Sequence, residues 1–158
     1  MDAPGLNVLL AELDADCAVA QDAARKAAAR IEEETSGHLE ACAFELARFY
    51  NVLEKMFERI CEGFENRFEK QGDYHEKLLQ RLSLDLKGIR PAFIPKDKIH
   101  ELRELKGFRH VARHAYDLVL KPDRLAELAR IAQNVSAELT AWCAQFGAAV
   151  RAEQNWEA

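Results

Sequence analysis

Glycine and proline are scarce in this sequence, seven and four of 158 residues. Apolar residues make up 49% and charged residues 31%, a composition that excludes a disordered chain and describes a helix-rich globule. No apolar run approaches the roughly 18 residues a membrane span needs, so no membrane partner is expected. The opening MDAPGLNVLLAELDADC carries an apolar patch but no basic segment before it, and a secretory signal is not expected. Cys17, Cys42, Cys61 and Cys143 form no CxxC pair and no zinc spacing, so they are expected as reduced core thiols of a cytoplasmic protein. A Gly-rich phosphate loop and a Ser/His/Asp arrangement are also missing, and no cofactor or metal is expected. At this length the chain predicts one domain over residues 1–158.

What is present is an uneven distribution of charge. The net charge is −5, yet Lys87 to Arg124 holds ten Lys and Arg against five Asp and Glu, a local +5 that leaves −10 on the remainder. His100, His110 and His114 lie in the same window. A basic island on an acidic body predicts an anionic ligand at one place.

Hydrophobic periodicity predicts an all-α bundle of about five helices. Leu6, Leu10, Leu13, Cys17, Ala20, Ala24, Ala27 and Ile31 recur at three and four along Pro4 to Glu34, which TSGH then breaks. Leu39, Cys42, Leu46, Phe49, Leu53, Met56, Ile60 and Phe64 follow at alternating three and four, a seam suited to a long N-terminal helical hairpin. Asp73 and Glu76 have the D-x-x-E form of a capping box for a third helix through Leu78, Leu79, Leu82 and Leu86. RPAFIPKD reads as a surface loop. A fourth helix is expected from Asp97 to Leu118, and a fifth carries Leu125, Leu128, Ile131, Val135, Leu139, Trp142, Phe146 and Val150.

The fourth helix contains GFRHVARHAY, residues 107 to 116. At about 100° per residue, with Ile99 at zero, Tyr116 falls at about 260°, Arg109 at about 280° and Arg113 at about 320°. His110 and His114 follow at about 20° and 60°. The wheel predicts an outward cationic face bearing imidazoles and a phenol, with Phe108, Val111 and Ala115 turned to the core. Two arginines one turn apart suit bidentate phosphate binding, and a neighbouring histidine can move protons near neutral pH. Together they suit phosphodiester transesterification in RNA, with guanidinium stabilising charge that develops on phosphorus.

The pattern Arg109-His110-x-x-x-His114-x-Tyr116 resembles the Rx4HxY motif of HEPN-family toxins of the HepT type. The stretch from Tyr74 through RPAFIP to LVLKPDRL is similar to the same proteins, whereas the first seventy residues agree only in helical character. The resemblance implies an all-helical homodimer whose two motifs face each other as a composite, metal-independent endoribonuclease site for RNA, tRNA among the candidate substrates. It implies catalytic roles for Arg109 and His114 and a supporting polar role for His110; Arg113 enters as a phosphate-binding residue from the wheel alone. It also implies a minimal nucleotidyltransferase antitoxin that silences the toxin by transferring AMP to Tyr116. The alternative is a non-catalytic HEPN-type module that binds a nucleotide or that partner through the same face. Outside this segment, His38 and His75 are expected in surface or cap roles, and Phe49 and Tyr50 in the core or a dimer interface.

Overall fold

The computed structural model describes residues 1–65, 70–114 and 119–154. Helix α1 spans Ala3–Ile31 and starts where the side chain of Asp2 accepts the Gly5 amide at 2.8 Å, with Pro4 in the first turn. Both features fit a helix start, where amides lack partners and a fixed φ is already helical. TSGH breaks the chain as expected: Gly37 has φ 81°, and His38 Nδ1 lies 3.2 Å from the Arg30 carbonyl, so the expected cap role of His38 is seen. Helix α2 (His38–Glu65) then returns antiparallel along α1. The predicted seams meet: Leu6, Leu13, Cys17, Ala20 and Ala24 of α1, and Cys42, Leu46, Phe49, Leu53, Met56 and Ile60 of α2, are all buried. The alanines of α1 leave room for a close approach of both α2 and the last helix, α5 (Pro122–Glu153). Ion pairs from Arg48 to Asp22 (3.0 Å) and from Arg59 to Asp16 (2.8 Å) tie the hairpin along its rim.

Two shorter helices, α3 (Tyr74–Leu82) and α4 (Ile99–His114), pack against α2, and a 3-10 turn at Lys96–Lys98 leads into α4. The five helices match the expected all-α class, and among the described residues the β-structure is one isolated bridge, Leu86 with Arg90. Two boundaries and one cap of α3 and α4 differ from expectation. Helix α3 stops at Leu82, because Ser83 Oγ donates to the Gln80 carbonyl at 2.6 Å and the chain doubles back at Gly88 (φ 77°). The fourth helix starts two residues late, at Ile99, and is described to His114; Ala115, Tyr116 and Leu118 lie outside the described residues, as does the His114 side chain. The capping box is not made. Asp73 sits at the N-cap without a side-chain bond. Glu76 is drawn to Arg103 (2.7 Å) and Lys106 on α4. Burial raises the Glu76 carboxyl, but hydrogen bonds from Arg103, Lys106 and Gln80 outweigh it and hold it at about 2.

The segment expected as a surface loop is instead partly core. Phe93 and Ile94 donate their amides to the Leu82 carbonyl, and Phe93 stacks edge-on with Phe57, Trp142 and Phe146. The Arg90 side chain is fully buried. It can be so because every face of the guanidinium finds oxygen: Glu65 through Nε at 2.8 Å, and the carbonyls of Leu84, Pro91 and Arg81 at 3.1–3.3 Å. All four cysteines are buried and free, as expected. Cys17 and Cys143, remote in sequence, meet across α1 and α5 with sulfurs 3.6 Å apart. Burial pushes the Cys42 thiol to about 11 and, helped by Glu65, the Cys61 thiol to about 12, so neither offers a thiolate at neutral pH.

Candidate functional site

Helix α4 carries four of the five singled-out positions, and its rotation about its own axis decides what each can do. The helix is seated on α2 through Leu102 and Leu105, which are 0% and 1% exposed. On the wheel these two lie at about 300° and 240°, so Arg109 at about 280° falls between them. Arg109 is accordingly buried, 5% exposed, and the expected outward face for it is corrected. Val111, expected in the core, is 48% exposed, and Phe108 is only partly buried. His110 and Arg113 do face solvent. Periodicity along the single helix points to its most hydrophobic flank, whereas its partner α2 selects the flank that fits.

A charge in such a place needs a counter-charge, and α2 supplies one. Glu54, itself 5% exposed, approaches Arg109 Nη1 at 2.6 Å. The same nitrogen donates to Asn51 Oδ1 at 2.8 Å, and the guanidinium lies over the ring of Tyr50, 5.0 Å from its centre. Residues 50, 51 and 54 occupy one flank of α2 because positions three and four apart share a helix face. Burial pushes the Tyr50 phenol far above its ordinary range, with the Glu54 charge adding to the effect, so this phenol stays protonated. Tyr50 is thus a core residue, as expected, and the floor of the Arg109 centre as well.

The third contributor comes from α3. His75 Nδ1 makes a short contact with Glu54 and stands 3.1 Å from Arg109 Nη2. His75 keeps the surface position expected of it, its side chain 45% exposed, and is in addition a member of this cluster. Sequence periodicity had no means of finding it, since the link runs from the start of a short helix to the middle of a long one. No sequence signal marked Glu54, which stands beside the seam residue Leu53 as one of several glutamates of α2.

The structure brings Arg109 together with Tyr50, Asn51, Glu54 and His75, and leaves His110 and Arg113 on the solvent side of the same helix. The backbone of His114 completes α4; its imidazole and the whole of Tyr116 lie outside the described residues.

The model of the HepT-like protein family matches residues 41–150. The chain belongs to the HepT-like family. This HepT-like, HEPN-type match begins in α2 and so takes in Glu54 and its neighbours, well upstream of where the sequence resemblance alone was specific; α1 lies outside it. No curated protein and no solved structure matches the chain.

Proposed function

We propose that this HepT-like protein is a metal-independent endoribonuclease, the toxin of a pair whose antitoxin is a minimal nucleotidyltransferase. The observation that carries the reading is the intact sequence motif, Arg109 to Tyr116, inside the family match, with Arg109 on α4. In this reading Arg109 and His114 form a half-site, and a second copy across a two-fold axis supplies the other half. His110 and Arg113, exposed on the same helix, hold the RNA phosphate, and His114 moves a proton during cleavage. The setting is cytoplasmic. RNA incubated with the purified chain in EDTA is expected to be cut and to end in a 2′,3′-cyclic phosphate. His114→Ala should remove the activity by about 10²–10⁴-fold, the span of general acid–base catalysis. Activity that disappears in EDTA and returns with magnesium would rule the mechanism out.

Silencing gives a second expectation. Tyr116 closes the motif, two residues after His114 in the sequence. AMP attached there adds bulk and negative charge beside the cations that hold RNA phosphate. Co-expression with the cognate nucleotidyltransferase should raise the mass of the peptide containing Tyr116 by whole AMP units. An unmodified peptide from a neutralised complex would make plain steric blocking by the partner the better account.

The burial of Arg109 against Glu54 favours one competing reading, in which the guanidinium is structural. The protein is then a binding module that uses exposed Arg113 and His110 to recognise a nucleotide or its nucleotidyltransferase. A chain that binds RNA or nucleotide but never cleaves would select that reading.

A further inference from the structure

His75 is placed unlike a structural histidine. Its side chain is 45% exposed, while the carboxylate beneath it, Glu54, is 7% exposed. An imidazole nitrogen that faces a carboxylate carries the proton, so Nδ1–H donates to Glu54 and the lone pair is left on Nε2. Arg109 has only donors; its Nη2 near Nδ1 therefore adds nothing to that nitrogen in this tautomer. Its Nη1 holds Glu54 Oε2 at 2.6 Å, while His75 Nδ1 meets the other oxygen, Oε1. The imidazole is thus oriented by a buried acid that is itself fixed, the arrangement by which a base is locked in one tautomer.

The same cluster is not closed. Arg109 Nε and the Tyr50 hydroxyl are buried and have no hydrogen-bond partner among the described residues. Buried polar atoms in a purely structural network are satisfied, and two orphans in one cluster mark a place where another polar group belongs. The Tyr50 phenol is held protonated by burial, so both orphans are donors.

We propose that His75 is a second proton-transfer residue of this site: Nε2 acts as the general base toward an RNA 2′-hydroxyl, and Glu54 fixes the tautomer and stabilises the imidazolium that forms. The proposal rests on the ribonuclease reading and deepens it. In the step, Nε2 takes the 2′-hydroxyl proton as the O2′–P bond forms. The P–O5′ bond breaks, and the 5′-oxygen leaves with a proton from His114, now acting as the acid. The products are a 2′,3′-cyclic phosphate and a free 5′-hydroxyl, and no oxidant, reductant or metal enters the balance.

The test compares the wild-type chain, His75→Ala and His114→Ala on a mixed-sequence RNA oligonucleotide across a range of pH. Turnover by His75→Ala is expected to fall by about 10²–10⁴-fold, with loss of the acidic limb of the wild-type pH–rate profile, where the base must be deprotonated. Added imidazole should restore part of the rate, because the half-exposed position leaves an accessible gap, and thermal melts confirm that the variant is folded. A His75→Ala chain that cleaves at the wild-type rate with an unchanged pH profile overturns the proposal while leaving the ribonuclease reading intact. Activity that His75→Gln restores, and imidazole does not, overturns it too, since Gln can bond Glu54 but cannot take the proton. A wild-type chain that leaves the RNA whole overturns both readings together.

Discussion

Arg109→Ala is expected to lose stability along with any activity, and the stability loss comes first. The substitution leaves Glu54 as a buried carboxylate without its guanidinium at 2.6 Å. Removing one partner of a buried pair costs about 3–5 kcal/mol, because the remaining charge stays desolvated and unpaired. His75 remains beside Glu54 and offsets part of that when its ring is protonated, which places the result at the lower end. Urea denaturation should show the midpoint falling with the slope unchanged. Activity loss in this variant alone is therefore not a measure of catalysis. The double variant Arg109→Ala, Glu54→Gln removes the stranded charge and is expected to regain much of the stability. If cleavage returns with the fold, Arg109 is structural; because Glu54 also positions His75, absent cleavage assigns the guanidinium to the reaction only where Glu54→Gln alone still cleaves. A single variant as stable as the wild type would show that Glu54 is not desolvated as its burial indicates.

Arg90→Ala is expected to damage the fold as much, and without touching the motif. Arg90 has a fully buried side chain and joins the end of α2, through Glu65, to the carbonyls of Arg81, Leu84 and Pro91. Its loss leaves Glu65, 5% exposed, with Arg81 Nε at 2.5 Å as its ion-pair partner among the described residues, and takes one donor from each of three carbonyls. The expected cost is again about 3–5 kcal/mol, and at this chain length that is a fall in Tm on the order of 10 °C. Arg90→Lys should recover only a fraction, since one ammonium cannot span four oxygens that a planar guanidinium reaches together. The effect should spread to Phe93, whose ring packs between Phe57 and Phe146, and weaken the seat of the 82–95 segment. A thermal melt of Arg90→Ala matching the wild type would refute the assignment of this loop to the core.

Local rules in the sequence were enough to set the helices. The three-and-four seams of α1, α2 and α5 could be read directly because a long amphipathic helix repeats one local rule over many turns. Asp2 with Pro4, and Gly37, placed their helix ends through backbone chemistry that acts within a few residues. The motif Arg109 to Tyr116 was also legible, as a spacing on one helix. The tertiary structure alone decided which way that helix faces. Leu102, Leu105 and Arg109 form a flank no more apolar than its alternatives, and only Glu54 on α2 makes burial of the arginine tolerable. His75, Glu54 and Arg90 escaped the sequence reading for the same reason. The free energy of a buried charge depends on a partner brought in from elsewhere in the chain, and no periodicity along one helix encodes that partner.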